Sequence, residues 1–229
     1  MLKVLILTLS YLYGSLPITE YLARRKGVDL RKVGSGKVGS GNLWQTTGAI
    51  NGMMGGLSDL SKGGLPHFVA RALGFSSSVS GAAAVAGVAG QMWPIFRKFD
   101  GGRGNSPALG LALALSPRAF LLSIIPMLAG GAVWSYPIVS QRHLPWKMRM
   151  KFRSPFSDVI PLGMFIGWLG LPLFAGVLKE PRSVTKACAA ASFLLMLRRV
   201  SGELGEDLRS GANLGRTIPN RLLYDRKAR

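Results

Sequence analysis

The sequence has little of the chemistry that most enzymes use for covalent or metal catalysis. It contains one cysteine, Cys188, and two histidines among 229 residues. A single cysteine excludes an internal disulfide and a metal cluster built on thiolates. Neither His67 nor His143 has a carboxylate at close spacing, and a Gly-x-Ser-x-Gly elbow and a nucleotide P-loop are also missing from the sequence. Any reaction must therefore depend mainly on positioning and charge, and we expect neither a metal nor a cofactor.

Acidic residues are also scarce. Ten Asp and Glu stand against 29 Lys and Arg, which gives a formal net charge of +19. Nucleic-acid-binding proteins can have this balance, but 48% of the residues here are hydrophobic and long uncharged runs separate the charges. In a membrane protein the two features are compatible, because apolar residues fill the spans and Lys and Arg crowd the cytoplasmic loops. The composition therefore predicts a membrane protein that does not bind nucleic acid.

Seven apolar segments are long enough, or nearly so, to cross a bilayer as helices. They are residues 4–23, 50–73, 79–96, 107–115, 119–139, 159–178 and 184–197. The sequence thus predicts an all-α, polytopic membrane protein with about seven transmembrane helices. We expect a single membrane-embedded domain over residues 1–229, in which residues 198–229 form a polar cytoplasmic tail.

The distribution of charge predicts the orientation of these helices. With seven crossings, the segments 24–37, 97–103 and 142–153 lie on the same face as the tail, and together they hold most of the 29 Lys and Arg residues. Because positively charged loops stay on the cytoplasmic side, we expect the N-terminus outside and the C-terminus in the cytoplasm.

The loop over residues 29–42 has the composition of an anion-binding site. It reads DLRKVGSGKVGSGN, in which glycines alternate with Ser, Lys and Asn. Glycine allows the backbone to approach a ligand closely, and successive inward N–H groups can form an anion nest. Lys37 adds a positive charge. A flexible linker is the alternative interpretation of this segment.

The loop over residues 94–105 repeats this chemistry. It reads PIFRKFDGGRGN, so that Gly101, Gly102 and Gly104 bracket Arg103 where a helix is expected to begin. A phosphate there would meet the helix N-terminal amides and a guanidinium. Because the topology places both loops on one face, the sequence predicts a bipartite phosphate site. An ordinary solvated basic face is the alternative.

Asp59 and Lys62 lie one helical turn apart in the otherwise apolar segment 50–73. Charged residues within the bilayer are costly and usually functional, and residues at this spacing can form an ion pair. A role in substrate binding and a purely structural ion pair are both open interpretations.

These motifs resemble those of the bacterial acyl-phosphate:glycerol-3-phosphate acyltransferases, a seven-span membrane family. The resemblance covers residues 11–117 and rests on the order and spacing of several motifs. These motifs are residues 11–17 (YLYGSLP), the two glycine-rich loops, and Asp59, Lys62, Gly63 and Pro66.

The resemblance implies an enzyme of the bacterial plasma membrane that moves a fatty acyl group from acyl phosphate to the sn-1 hydroxyl of glycerol 3-phosphate. The product would be lysophosphatidic acid, for phospholipid biosynthesis. Ser35 and Arg103 would be catalytic, with Arg103 in the place of a phosphate-binding lysine. The substrate-binding residues would be Gly34, Gly36, Lys37, Gly39, Asn42, Lys62, Gly101, Gly102 and Gly104. Family members use no cofactor, and the implied partners are both substrates, the lipid bilayer and an enzyme that produces acyl phosphate.

Three departures from the family pattern leave a second reading open. Gln45 stands where the family has Arg, Gln91 stands where it has His, and its C-terminal His…Asn motif is not recognisable around residues 198–209. The alternative is a non-catalytic or acceptor-altered paralogue that binds lipid phosphates.

Overall fold

The computed structural model describes residues 1–34, 38–140, 159–202 and 204–225. Within these ranges the secondary structure is helical and contains no strand, as the sequence predicts. A 3-10 turn, Ile95–Arg97, accompanies the α-helices. The α-helices are α1 Leu2–Ser15, α2 Ile18–Arg24, α3 Ser40–Thr47, α4 Ala49–Ala72, α5 Ser77–Met92, α6 Asn105–Leu115, α7 Pro117–Ser140, α8 Val159–Val177, α9 Arg182–Ser201, α10 Leu204–Arg209 and α11 Leu214–Tyr224.

Each of the seven predicted apolar segments is helical. In the described part of the chain, four stretches are long and apolar enough to cross a membrane, namely Leu2–Arg24, Ser77–Arg97, Pro117–Tyr136 and Val159–Val177. Helix α6 is apolar but has only 11 residues. Helices α4 and α9 have 24 and 20 residues, but both include charged side chains. Several membrane-spanning helices are therefore established, and the exact number of seven stays a prediction.

The first predicted span, residues 4–23, lies within the stretch Leu2–Arg24 that is long and apolar enough to cross a membrane. It consists of two helices, because Leu16 is extended and Pro17, which has no N–H to donate, separates α1 from α2. The predicted loop over residues 29–42 is not irregular throughout, since its last three residues begin α3. Leu43 of that helix is fully buried with Ala23 and Leu30, and this packing outweighs the weak helix propensity of the surrounding glycine and serine.

Glycines allow the central helices to cross at close range. A Cβ on Gly14 of α1 would collide with the backbone carbonyl of Gly87 in α5, and a Cβ on Gly63 of α4 would collide with that of Pro107 in α6. Small residues at such crossings are typical of membrane helix bundles, where close packing drives association. These contacts hold α4, α5 and α6 together, and the candidate site lies where the middle of α4, the C-terminus of α5 and the N-terminus of α6 meet.

A second group of buried contacts joins α6 to α8 and α9. Trp168 of α8 is fully buried, and its Nε1 donates a hydrogen bond of 3.0 Å to Oδ1 of Asn105, the first residue of α6. Ser192 of α9 donates to the carbonyl oxygen of Trp168 at 2.6 Å. Helices α8 and α9 therefore hold the N-terminus of α6 in place.

The polar tail folds against the same end of the bundle. Asp207 of α10 and Arg221 of α11 form a buried ion pair. Arg199 donates from Nη1 to the carbonyl oxygens of Pro161 at 3.1 Å and Leu222 at 2.7 Å. The tail contains no spanning helix in its described residues, as predicted, but it is packed onto the structure.

Candidate active site

The two glycine-rich loops line one cavity of about 530 Å³. The first loop contributes residues 38–42, the second contributes residues 100–104, and the start of α6 closes one side. Arg198 and Gly202, at the end of α9, complete the wall. The structure therefore brings together the two segments that the sequence predicts to share one face.

The predicted site residues fall into three groups. Six of them line the cavity: Gly39, Asn42, Gly101, Gly102, Arg103 and Gly104. Gly34 lies beside it against Asn42, and Lys62 lies behind the wall in a small adjoining cavity. Ser35, Gly36 and Lys37 are outside the described residues, as is the predicted basic loop 142–153 with His143.

Arg103 stands at the edge of the cavity, between the second glycine loop and the tail. Its side chain is 16% exposed, and its Nε lies 3.3 Å from Oδ1 of Asp225. Its Nη1 donates to the carbonyl oxygen of Arg198 at 3.3 Å. The guanidinium is thus held by α9 and by the end of the tail, at a position where it can reach an anion in the cavity.

The glycines before Arg103 are fixed by contacts from two sides. The N–H of Gly102 donates to the carbonyl oxygen of Gln91 at 3.1 Å. Arg198 donates from Nε to the carbonyl oxygen of Gly102 at 3.1 Å and from Nη2 to that of Gly101 at 2.8 Å. The Gly102 amide is therefore already committed to the protein. Residues 101–103, here called the strap, are thus held from two sides and carry Arg103. The strap is less open than the nest of amides that the sequence predicts.

The start of α6 supplies free amides that the strap lacks. Gly104 has φ +79, in the left-handed region that favours glycine, and α6 begins at the next residue. Asn105 and Ser106, the first two helical residues, line the cavity. The first-turn N–H groups of a helix have no intrahelical partner and carry partial positive charge. The cavity therefore contains the helix N-terminus expected of a phosphate site.

Three further arginines line the cavity: Arg31, Arg97 and Arg198. None of them is among the site residues predicted from the sequence. Arg31 pairs with Asp100 at 2.8 Å, and Arg97 pairs with Glu20 at 3.2 Å. Arginines from several segments thus surround the cavity that Gln45 also lines. The sequence shows how many basic residues a loop contains, but it does not indicate which of them line the cavity.

Asn42 anchors the first loop at the cavity wall. Its Nδ2 donates to the carbonyl oxygens of Leu30 at 2.9 Å and Val33 at 3.1 Å. The side chain is buried, so these bonds hold the chain that leads into residues 35–37. Asn42 lines the cavity and holds the first loop in place, and its role in substrate binding stays a prediction.

Asp59 and Lys62 form the predicted ion pair, with Nζ 3.0 Å from Oδ1 and both side chains at most 5% exposed. Thr19 of α2 donates to Oδ2 of Asp59 at 3.4 Å. Asp59 lines the main cavity, whereas Lys62 does not. The family resemblance implies Lys62 as the substrate-binding member of the pair, whereas the structure places Asp59 on the wall of the main cavity.

Taken together, the cavity favours anions. Guanidinium groups and a helix N-terminus surround it, and no group of three His, Cys, Asp or Glu residues that could hold a metal ion occurs in the described ranges. Such an arrangement binds a phosphate through charge-assisted hydrogen bonds and can stabilise negative charge that develops during a reaction. Fold and site together define a helical membrane protein that takes a phosphate-bearing ligand at one end of its bundle.

Comparison with known proteins identifies the family. The model of the family described as glycerol-3-phosphate acyltransferase matches residues 4–197 of this chain. The chain belongs to the PlsY-type glycerol-3-phosphate acyltransferase family. The matched region includes both glycine loops, Arg103 and the Asp59–Lys62 pair, and it ends just before Arg198.

Two relatives illustrate the extent of the similarity. Glycerol-3-phosphate acyltransferase 4 of Dehalococcoides mccartyi is 29% identical over 226 residues, which is 96% of this chain and 87% of the relative. The glycerol-3-phosphate acyltransferase of Rubrobacter xylanophilus is 42% identical over 117 residues, which is 51% of this chain but only 59% of the relative. Identity is therefore higher over about half of the chain than over its whole length.

Two solved structures share the fold. The integral membrane glycerol 3-phosphate acyltransferase PlsY in its glycerol 3-phosphate form has a TM-score of 0.66 and 29% identity, and the match covers 92% of this chain and 94% of that one. The lysophosphatidic acid form of PlsY has a TM-score of 0.69 and 27% identity, covering 92% of this chain and 93% of that one.

Proposed function

We propose that this protein transfers a fatty acyl group from an acyl phosphate to the sn-1 hydroxyl of glycerol 3-phosphate. The products are lysophosphatidic acid and inorganic phosphate. The observation that carries this proposal is the single cavity in which both glycine loops, Arg103 and the start of α6 meet. Membership of the family supports the same reaction.

The reaction needs only the two substrates. The sn-1 oxygen attacks the acyl carbonyl carbon, a new C–O ester bond forms, and the bond between that carbon and the phosphate oxygen breaks. The phosphate leaves with the bonding electron pair and takes up the hydroxyl proton. This route suits a cavity whose polar groups are mainly arginines and a helix N-terminus, because such groups position anions and stabilise charge.

Arg103 and the first turn of α6 are proposed to act on the reacting phosphoryl and acyl groups. The guanidinium would neutralise the phosphate and stabilise the negative charge that grows on the acyl carbonyl oxygen. By the family resemblance, Ser35 and the first glycine loop would hold the phosphate of glycerol 3-phosphate. Arg31 and Arg97, on the cavity wall near that loop, would add positive charge there.

The acyl phosphate is proposed to arrive through a neighbouring groove. This groove of about 480 Å³ shares Arg31 and Arg97 with the main cavity and includes the exposed side chains of Tyr21 and Phe96. Its mixture of aromatic and basic residues suits a donor with an apolar chain and an anionic head. An enzyme that makes acyl phosphate would be the natural supplier of this substrate.

The proposed location is a bacterial plasma membrane, with the cavity and the C-terminus on the cytoplasmic side and the N-terminus outside. The basic segments that surround the cavity support this orientation, because positive loops stay inside. Arg24, Arg31, Arg97 and Arg198 all belong to that end of the bundle.

An acceptor-altered enzyme is the second candidate. Gln45 lines the cavity as a neutral residue where the family carries a cation, and Gln91 lines it where the family has His. A changed set of side chains around the acceptor favours a different phosphorylated polyol. Such an enzyme would still consume acyl phosphate.

Product analysis tests the proposal. Purified protein in detergent is incubated with glycerol 3-phosphate and either palmitoyl phosphate or palmitoyl-coenzyme A, and products are identified by mass spectrometry. We expect 1-palmitoylglycerol 3-phosphate from palmitoyl phosphate and none from the thioester. Absence of product from folded protein with either donor would overturn the proposal. Acylation of another polyol phosphate in preference to glycerol 3-phosphate would favour the second candidate.

A further inference from the structure

A small cavity of about 20 Å³ adjoins the main cavity. Asp59 and Gln91 line both cavities and form part of the wall between them. Lys62 and Thr19 line only the small one. Asp59 and Gln91 share this wall with Val38 and Arg97 and border the main cavity, while Lys62 and Thr19, which hold Asp59, lie behind it.

Asp59 differs in chemistry from most of this cavity. The arginines and the start of α6 offer hydrogen-bond donors, whereas an ionised carboxylate only accepts. Asp100 is another carboxylate on the wall, but it is 61% exposed and pairs with Arg31. Asp59 is almost completely buried, and Lys62 and Thr19 fix both of its oxygens.

Gln91 provides an independent observation at the same place. Its side-chain Oε1 is buried and has no hydrogen-bond partner within the described part of the chain. Its backbone oxygen accepts from Gly102, and a Cβ on Gly102 would collide with its Nε2, so the side chain lies against the strap. A buried acceptor without a donor is costly, and a ligand hydroxyl in the cavity would satisfy it.

We propose that Asp59 and Gln91 accept hydrogen bonds from the hydroxyl groups of the acceptor, so that the site selects a polyol phosphate over a simple alkyl phosphate. This inference rests on the proposed function and assigns the part of the acceptor that the arginines do not bind. A phosphate is recognised by hydrogen-bond donors, but the proton of a neighbouring hydroxyl needs a hydrogen-bond acceptor. Asp59 and Gln91 provide such acceptors side by side on the cavity wall.

The proposal also gives Lys62 a role as a positioning residue. A lone carboxylate within a membrane segment is costly, and a paired one is tolerated. Lys62 compensates the charge of Asp59 from the side away from the main cavity. The carboxylate of Asp59 can then stay ionised and buried at the cavity wall, where it contacts the substrate.

A comparison of two acceptors tests this inference on the wild-type protein. 3-Hydroxypropyl phosphate keeps the phosphate and the reacting primary hydroxyl of glycerol 3-phosphate but lacks the secondary hydroxyl. We expect kcat/KM with palmitoyl phosphate to be about 10- to 100-fold higher for glycerol 3-phosphate, the range of one hydrogen bond to a charged group. Equal kcat/KM values would overturn this inference and leave the proposed function standing. If neither acceptor is acylated, the proposed function itself fails, and this inference with it.

Variants then locate the selectivity. Replacing the pair together, Asp59→Leu with Lys62→Met, removes both charges and leaves no unpaired buried ion. We expect the preference for glycerol 3-phosphate to fall to within about threefold of unity, while inhibition by inorganic phosphate is unchanged. A folded double variant with the wild-type preference would overturn the assignment.

A milder variant keeps the test decisive if the double variant does not fold. Thr19→Val preserves shape and removes the hydroxyl that donates to Asp59. We expect the ratio of kcat/KM for glycerol 3-phosphate to that for 3-hydroxypropyl phosphate to fall severalfold, while the melting temperature changes little. An unchanged preference in both Thr19→Val and Gln91→Leu would contradict the proposal, since a merely structural role does not alter the ratio of two substrates.

Discussion

Arg103 and Asp225 form an ion pair at the edge of the cavity, with Nε and Oδ1 3.3 Å apart and both side chains less than 20% exposed. Asp225 directly follows α11, which the buried Asp207–Arg221 pair fastens to α10. The family model ends at residue 197, so this contact comes from a part of the chain beyond the matched region. The tail therefore places a carboxylate on the residue proposed to hold phosphate.

Removing that carboxylate is expected to strengthen substrate binding. In Asp225→Asn the guanidinium of Arg103 loses a competing anion, because a neutral amide attracts it far less than a carboxylate does. We expect KM for glycerol 3-phosphate or acyl phosphate to fall about threefold, with kcat unchanged or higher. Steady-state kinetics at constant ionic strength measure this. A rise in KM would mean that Asp225 orients Arg103 and does not compete with substrate.

Arg103 is expected to contribute more to turnover than to folding. Arg103→Ala removes the cation proposed to stabilise the developing charge, and the expected loss in kcat is about 100-fold. Arg103→Lys keeps the charge without the planar fork and should recover part of this loss.

The exposed Arg209 provides the matched control. Arg209→Ala removes one positive charge from the tail and should leave kcat within about twofold of wild type. Melting temperature in detergent reports folding for all three variants. Wild-type kinetics in folded Arg103→Ala would show that the site is assigned to the wrong residue.

Gly101 is expected to tolerate no side chain. A Cβ there would collide with the backbone carbonyl oxygens of Gln91 and Met92, and backbone atoms cannot move aside easily. We expect Gly101→Ala to displace the strap, to reduce kcat/KM by at least about tenfold and to lower the melting temperature.

Gly176 offers a comparison in open space. A Cβ at Gly176 meets no atom within 4 Å, so Gly176→Ala should retain full activity. If both alanine variants behave alike, the strap is not the rigid carrier of Arg103 that its contacts indicate.

The buried pair in the tail is expected to stabilise the docked tail strongly. Asp207→Asn leaves the charge of Arg221 buried with a weaker partner, and breaking one side of such a pair typically costs about 3–5 kcal/mol. We expect faster proteolysis of residues 204–225 and kinetics that approach those of Asp225→Asn, because the tail no longer delivers Asp225. Limited proteolysis with mass spectrometry measures the first effect. Unchanged cleavage would contradict a role for the pair in docking the tail.

The sequence predicted the helices because long apolar runs leave few other structures possible in a bilayer. It failed where a short local feature decides the outcome. Pro17 divides the first segment into two helices, and Leu43 stabilises α3 in a glycine-rich stretch through burial that only the folded chain reveals.

The site was predictable in part for a similar reason. Arg103 and the glycines around it stand out as a pattern in a single loop. By contrast, Arg198 and Asp225 contact Arg103 from segments about 95 and 122 residues further along the chain, and such contacts depend on how distant helices pack. Asp59 and Lys62 stand out together in an apolar segment, but their i, i+3 spacing does not indicate which of the two side chains lines the cavity.

The proposed reaction joins an acyl phosphate to glycerol 3-phosphate in one cavity. It is tested by the release of inorganic phosphate from palmitoyl phosphate by the purified protein, measured as the glycerol 3-phosphate concentration is varied. We expect release that requires the acceptor and saturates with it, at one phosphate per lysophosphatidic acid formed. No release above a protein-free control by folded protein, or release that ignores the acceptor, would contradict it.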